Sequence, residues 1–210
     1  PSVKAIAERG HVIGTVMTGY KAKDLFEEYR RVWRATGRPE PMPLDRLCYA
    51  SFVGVGNTRE EGRRRGEMVM AYLRTNAIVG EAFRNPAGYI PAFAAAKMVK
   101  ATGTMTFQSH DLFDKHGRNL GSFSGASLQD TIDGGLMFTG TPDDVYEQIV
   151  DFYETIGGFG HMLIMAQAGD MSYKETAANL TLFAREVMPR LRDYSRARQK
   201  ALGIPEPALV

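Results

Sequence analysis

The feature that most constrains the fold is a capped helix followed at once by a short apolar segment, within residues 140–166. Residues 141–144 read Thr-Pro-Asp-Asp, in which the threonine is a typical N-cap, the proline suits the first helical position and the aspartates face the positive helix end. Apolar residues then recur at helical spacing until the glycines at 157 and 158 end the helix. The apolar run 161–166 is too short for a helix and predicts a strand that is buried on both faces.

The same pattern extends over most of the chain. Ser172 and Glu175 form a capping-box pattern, and a helical face of apolar residues follows as far as Leu191. Two further apolar runs, 12–17 and 47–55, predict buried strands, and each is followed by a helix. Helices that alternate with strands buried on both faces are typical of an α/β protein with a parallel sheet.

The helix predicted after the strand at residues 47–55 contains two glycines and a run of three arginines. Gly62 and Gly66 each weaken a helix by about 1 kcal/mol relative to alanine, so we expect a close packing partner at both positions. Residues 63–65 are all arginine, but glutamates surround them, which predicts a salt-bridged helix face. Because the net charge is only +2, nucleic acid is not an expected partner.

Cysteine content and hydropathy limit the compartment. Cys48 is the single cysteine, so the chain has no internal disulfide and fits a reducing cytoplasm. No apolar run approaches the ~20 residues that a membrane span needs, and no membrane association is expected.

Four motifs occur in a characteristic order: Ser-Val-Lys-Ala-Ile-Ala-Glu-Arg-Gly (2–10), Gly-Thr-Pro-Asp-Asp-Val (140–145), Met-Ser-x-x-Glu (171–175) and Leu-Phe-Ala-Arg-Glu-Val-Met-Pro-Arg-Leu (182–191). Together they resemble the bacterial luciferase-like flavin-dependent monooxygenases. In that family the later motifs belong to the last strand and last helices of a (β/α)8 barrel, and the first to a helix after a mid-barrel strand. The resemblance therefore implies the C-terminal portion of a TIM barrel with parallel strands.

The length fits only part of such a barrel. A complete (β/α)8 barrel typically takes about 250 residues, whereas this chain has 210. We expect a partial barrel domain over residues 1–192 and a polar, poorly packed C-terminal tail over 193–210. Residues 85–135 are rich in glycine and serine and predict a long lid-like insertion. A partial barrel exposes strand edges, so a homo-oligomer or a complementing N-terminal half is expected.

The resemblance implies an enzyme that takes reduced FMN from a separate flavin reductase and uses O2 to oxygenate a small organic substrate. The form of the closing motif and the long insertion favour FMN over the deazaflavin F420. A flavin-binding protein without turnover, or a partial barrel that needs a partner chain, are the alternatives. The family's catalytic histidine belongs to the N-terminal half, so no catalytic residue is assigned in this chain.

Four residues are candidates for the cofactor and substrate site. Ser2 could bind the flavin phosphate, because a hydroxyl and free N–H groups meet at a helix start and the residue matches a phosphate-site hydroxyl of the family; a plain N-cap is the alternative. Met17, Tyr49 and Ser51 lie on strands that could line the flavin pocket, and core packing is their alternative role. A one-residue change of strand parity exchanges Ala50 for Ser51.

The remaining candidates lie in loops. Lys97 and Lys100 fall in the predicted insertion, where the resemblance places lysines of a mobile lid; a solvated pair is the alternative. A phosphate loop at residues 140–144 is disfavoured because two adjacent aspartates repel a phosphate. The four histidines show no metal-ligand spacing, so no metal is expected.

Overall fold

The computed structural model describes residues 2–76, 111–168 and 171–204. Its helices are α1 (Ser2–Arg9), α2 (Ala22–Ala35), α3 (Arg59–Asn76), α4 (Leu128–Asp133), α5 (Pro142–Thr155), α6 (Tyr173–Leu182) and α7 (Met188–Ala201). Its strands are β1 (Ile13–Val16), β2 (Leu47–Val55), β3 (Asp111–Phe113), β4 (Asn119–Ser122), β5 (Met137–Gly140) and β6 (His161–Met165). A π-helical turn, Phe183–Val187, joins α6 to α7. None of the described helices combines the length and the apolar character needed to cross a membrane.

Four parallel strands form the main sheet, with the long strand β2 at its centre. β1 pairs with residues 47–50 of β2 and β5 pairs with residues 52–55, whereas β6 pairs with residues 48–52. β6 pairs with β2 residues that also pair with β1 or β5, so it must lie along the other edge of β2. β1 and β5 pair with successive parts of β2 and lie one after the other along the same edge. The predicted α/β fold with a parallel sheet is confirmed. In a closed barrel β6 would neighbour β5 instead.

β5 is a strand that the sequence pattern did not predict. It covers only Met137–Gly140 and ends one residue before the capped helix. Four residues are too few to show a strand period. The described part of the predicted insertion, residues 111–135, forms the antiparallel hairpin β3–β4 and the short helix α4. A lid role for this region stays a prediction, and residues 85–110 lie outside the described residues.

Helices pack on both faces of β2. α2 and α5 cover the face that carries Tyr49, whose ring centroid lies 4.5 Å from that of Phe152. α3 covers the C-terminal half of the opposite face, where a Cβ atom on Gly54 would lie 2.7 Å from both the Gly62 carbonyl oxygen and the Gly66 nitrogen. Only glycine permits this approach, so the close packing expected at Gly62 and Gly66 is confirmed.

The N-terminal half of that opposite face is apolar and exposed. Leu163 of β6 is 61% exposed and Met165 is 42% exposed, while Met162 and Ile164 on the other face of β6 are half-buried. Val16 of β1 is 49% exposed on the same side. The predicted strand within residues 161–166 is confirmed as β6, but its predicted burial on both faces is wrong, because no described helix covers one of them.

The predicted helix caps are confirmed. Thr141 accepts a hydrogen bond from the Asp144 backbone N–H, and the Asp144 carboxylate accepts from the Thr141 backbone N–H and hydroxyl. Arg59 of α3 also donates to this carboxylate, with a shortest distance of 2.7 Å. Thr141, Asp144 and Arg59 thus bond one another at the start of α5. Residues 140–144 therefore act as a helix cap and not as a phosphate loop. Ser172 accepts from the Glu175 N–H in the same way at α6.

The predicted domain boundary at residue 192 falls inside α7. Arg198 of α7 donates to both carboxylate oxygens of Glu154 on α5, and Tyr194 donates to the same side chain at 2.9 Å. Ile204 is buried beyond the helix end. The described part of the predicted tail is therefore a helix attached to α5, because its arginines and apolar residues find partners there.

Asn179 completes the sheet where β6 ends. Its side-chain oxygen accepts from the Val55 N–H at 2.7 Å, and its amide donates to the carbonyls of Val53 and Ala166 at 3.0 and 2.8 Å. The last β2 residue paired with β6 is Phe52, so the Asn179 amide replaces a peptide group of the next strand. The residue is fully buried, and all three bonds are shielded from water.

Replacing Asn179 with alanine is expected to lower the free energy of unfolding by about 3 kcal/mol, because three buried backbone groups lose their partner. Urea denaturation followed by circular dichroism measures this change. Asn57→Ala is the matched control: Asn57 is exposed and its amide contacts only Glu61, so its effect should stay below about 0.5 kcal/mol. Equal effects of the two substitutions would contradict the role assigned to Asn179.

The Asp144 carboxylate should make stability depend on pH in acid. Hydrogen bonds from Arg59 are the main cause of a pKa well below the usual range for this carboxyl, and bonds from Thr141 add to it. A depressed folded-state pKa stabilises the fold above the unfolded value of about 3.9, and this contribution is lost as pH falls towards the folded value. Asp144→Asn should therefore cost about 1 kcal/mol at pH 7, and the difference from the unsubstituted chain should shrink below pH 4.

The control for this measurement is Asp143→Asn, because Asp143 is the adjacent carboxylate and is 79% exposed. Its substitution should shift thermal stability only slightly across the same pH series. If the gap between Asp144→Asn and the unsubstituted chain stays constant from pH 7 to pH 3, the carboxylate does not titrate as described.

Candidate functional site

The exit of β1 has an unusual backbone. Met17 follows the last residue of this strand and has φ of 58°, the only positive φ at a non-glycine position among the described residues. Such conformations cost about 1–3 kcal/mol and cluster at functional sites. The hydroxyls of Thr15 and Thr18 lie 2.9 Å apart across the turn, and Gly19 continues it with φ of 52°. The turn is therefore held in a defined shape at the C-terminal end of the strand.

Ser2 is the first residue of α1 and is exposed. Apolar residues of α1, among them Ile6 and Ala7, pack in the core cluster that contains Tyr49. The first turn of α1 contains no carboxylate, and free N–H groups at a helix start suit an anion.

Tyr49 and Ser51 face the helices on the other side of β2. The Tyr49 hydroxyl donates to the Gly135 carbonyl at 2.8 Å, and the Ser51 hydroxyl donates to the Leu136 carbonyl at 2.9 Å. Both side chains are buried, and burial raises the pKa of Tyr49 far above its usual range. The two hydroxyls tie β2 to the segment before β5. Strand parity instead places Ala50 on the exposed face, beside Val16 and Leu163.

The structure thus places Met17 at the exit of β1 and Ser2 at the start of α1, while Tyr49 and Ser51 are buried and bonded to the segment before β5. Lys97 and Lys100 lie outside the described residues. The lid role predicted for these two lysines therefore stays a prediction.

A charged cavity of about 330 Å³ opens beside the exit of β1. Its lining comes from five segments of the chain and includes Tyr20, Asp114, Lys115, Asp133 and Asp151. Lys115 pairs with Asp151 at 3.0 Å. Burial, followed by the nearby carboxylates, raises the pKa of Tyr20 well above its usual range, so its phenol stays protonated and can donate a hydrogen bond.

This cavity escaped prediction because no local pattern joins its residues. Tyr20 follows a strand exit, Lys115 belongs to the β3–β4 turn, Asp133 ends α4 and Asp151 lies on α5. The only usable signal was the position of Tyr20 directly after the predicted Thr18-Gly19 exit.

An apolar groove of about 720 Å³ lies between β6, α5 and α7. Its floor includes Met162, Ile164 and Phe183, and Arg192 and Arg196 lie along its α7 side. The Tyr153 hydroxyl is buried beside it and has no hydrogen-bond partner within the described part of the chain. The groove can accept an apolar side chain or ligand, but it lies on the helix-covered face, away from the exposed side chain of Val16.

Comparison with solved structures shows the fold. A monooxygenase from Streptomyces bottropensis aligns with a TM-score of 0.58 at 18% identity, over 90% of this chain and 45% of that chain. The oxygenating constituent of 3,6-diketocamphane monooxygenase from Pseudomonas putida, solved in complex with FMN, aligns with a TM-score of 0.53 at 22% identity, over 90% of this chain and 45% of that chain. EDTA monooxygenase from a Chelativorans species aligns with a TM-score of 0.50 at 18% identity, over 97% of this chain and 46% of that one.

The chain therefore spans slightly less than half the length of the solved structures that it matches. No curated protein sequence matches it significantly. The sequence profile of the luciferase-like monooxygenases matches residues 1–158, which include α1, β1, β2, β5 and α5. The chain belongs to the luciferase-like monooxygenase family.

Proposed function

We propose that the chain is the C-terminal part of an FMN-dependent monooxygenase that uses reduced flavin and O2 to oxygenate a small organic substrate. The observation that carries this proposal is the family match over residues 1–158, which includes both cofactor candidates, Ser2 and Met17. The Pseudomonas putida relative by fold was solved with FMN, which favours FMN over F420 as the cofactor. A flavin reductase in the same reducing cytoplasm is the proposed source of the reduced flavin.

Ser2 and Met17 fit a flavin phosphate and ring. Ser2 offers an exposed hydroxyl beside a helix start that lacks carboxylates, which suits the phosphate. Met17 holds a strained backbone at the exit of β1 and packs against a cluster of buried apolar residues that includes Phe52 and Met137, which suits contact with an apolar ring edge. Reduced FMN supplies the electrons that activate O2, and the chain binds and orients it.

The charged cavity beside Tyr20 is the proposed place where this part of the chain contacts substrate. It opens next to the β1 exit, and the neutral phenol of Tyr20, which hydrogen-bonds to Asp151, would exchange this partner for a substrate oxygen. Lys97 and Lys100 are retained as lid residues that exclude water from the reaction. No catalytic residue is assigned, so chemistry is proposed to need groups from outside the described residues.

We also propose that these strands become part of a closed barrel in the complete enzyme. The match to less than half of each solved monooxygenase supports this, because four parallel strands are half of the eight that a barrel needs. Barrel closure would require β6 to exchange its pairing with β2 for pairing with β5. The exposed apolar side chains of Val16 and Leu163 would then face the barrel interior.

FMN binding tests the cofactor assignment. The chain should quench the fluorescence of FMN on titration, and Ser2→Ala should weaken FMN binding about tenfold through loss of a charge-assisted hydrogen bond. Riboflavin lacks the phosphate, so its affinity should be the same for both proteins. Ser172→Ala is the matched control, because Ser172 caps a different helix start, that of α6.

Two outcomes of this titration contradict the assignment. If Ser2→Ala weakens FMN and riboflavin equally, Ser2 supports the fold and not the phosphate. If F420 binds and FMN does not, the chain belongs with F420-dependent oxidoreductases. A chain that binds FMN but whose reduced flavin reoxidises without a slow phase, even with the complementing half present, favours the alternative of a flavin-binding protein without turnover.

A further inference from the structure

We propose that Arg59 and Arg64 of α3 are positioning residues, which fix the starts of α5 and α6 relative to the exit of β2. The proposal rests on the function proposed above, because the loops before these helices bear on a reaction only where the strands belong to a barrel enzyme. In such enzymes the loops that leave the C-terminal ends of the strands build the active site. Neither arginine is assigned a contact with substrate or flavin.

The helices that follow β2, β5 and β6 begin in the same way. In each, a hydroxyl side chain accepts a hydrogen bond from the backbone N–H of a carboxylate residue three positions later. The pairs are Thr58 and Glu61 at α3, Thr141 and Asp144 at α5, and Ser172 and Glu175 at α6. Each of these three strand exits is therefore followed by a carboxylate in the first turn of its helix.

The first two turns of α3 supply an arginine to every one of these carboxylates. The ion pairs are Arg65 with Glu61, Arg59 with Asp144, and Arg64 with Glu175. A steric contact adds to them, because a Cβ atom on Gly62 would collide with the Gly140 carbonyl oxygen at the end of β5. Since α3 follows β2 almost directly, Arg59 and Arg64 connect the starts of α5 and α6 to the exit of β2.

The two arginines hold their partners with different geometry. The Arg59 guanidinium donates through two nitrogens to both oxygens of Asp144, at 3.1, 2.9 and 2.7 Å. Arg64 donates through one nitrogen to one oxygen of Glu175. A lysine ammonium can replace a contact through one nitrogen but not a planar two-nitrogen fork. The two positions should therefore respond differently to lysine.

Exposed ion pairs usually contribute little, partly because two long side chains must be ordered. Here the carboxylates are the less exposed partners: Asp144 is 16% and Glu175 is 23% exposed, against 78% for Arg59 and 53% for Arg64. Asp144 is also held by the Thr141 backbone N–H and hydroxyl. Hydrogen bonds from the arginines are the largest cause that holds the pKa of both carboxyls below its usual range. Each pair therefore restrains the helix start to which its carboxylate belongs.

Amide hydrogen exchange measured by NMR without FMN tests both roles, because the first-turn amides report the opening of each helix start. Arg64→Met keeps the apolar stem and removes the charge, so it should raise the exchange rate of the Glu175 amide about fivefold. Arg59→Met should raise that of the Asp144 amide by a similar factor. Neither substitution should change exchange at the helix start that the other arginine holds.

The conservative variants separate a charge contact from general support of the fold. Arg64→Lys should restore most of the protection of the Glu175 amide, whereas Arg59→Lys should leave the Asp144 amide exchanging fast. Arg63→Met is the matched control, because Arg63 is the adjacent exposed arginine and bonds the uncharged Gln129 side chain of α4. It should change neither amide.

Equal effects of Arg63→Met and Arg64→Met overturn the proposal. Faster exchange spread over all strands of the sheet also overturns it, because that result shows a loss of global stability. Full rescue by Arg59→Lys overturns the role assigned to Arg59. An FMN titration of the same proteins separates the two proposals. A chain with these local effects that does not bind FMN overturns the cofactor assignment alone, and a chain that binds FMN without them overturns the positioning roles alone.

Discussion

The other three strands of the main sheet all hydrogen-bond to β2. The rest of the structure depends on how the backbone groups along both edges of β2 find their partners. β1 and β5 share one edge in succession, and β6 occupies part of the other. Asn179 completes the second edge where β6 stops, so a side-chain amide bonds the peptide groups of Val53 and Val55. The strand is buried along nearly its whole length; α2 and α5 cover one face, and α3 covers the C-terminal half of the other.

The glycines explain how α3 reaches its face. Gly54 of β2 contacts the backbone of α3 at Gly62 and Gly66, which brings helix and strand closer than any Cβ atom would allow. Gly62 and Gly66 lower the intrinsic stability of α3, but they allow this close contact with β2. Where α3 ends its coverage, no other described helix continues it, and the sheet presents bare apolar side chains. Among the described residues, the part of this face that stays uncovered is therefore set by the reach of α3.

Local features were predictable from sequence, and features that depend on distant partners were not. Each of the caps at Thr141 and Ser172 is formed with a residue three positions later in the chain, so the local sequence pattern alone identifies it. The burial of Leu163 depends on whether another element covers it, which no local pattern contains. Tyr49 and Ser51 were candidates for a pocket because strand parity could not be read from a continuous apolar run, and four-residue β5 was too short to detect. The motif resemblance identified the family. The cavity at Tyr20 could be found only from the three-dimensional structure, because its lining residues are far apart in the sequence.

The π-helical turn at Phe183–Val187 has a consequence for how the last helix is attached. A wide turn of this kind holds one residue more than a regular turn, and one residue corresponds to about 100° of rotation about the axis. Deleting a residue here would let α6 and α7 run as one regular helix. Tyr194 and Arg198 would then swing away from Glu154, to which both now bond. The rotational position of α7 relative to α5 therefore depends on one extra residue in this turn.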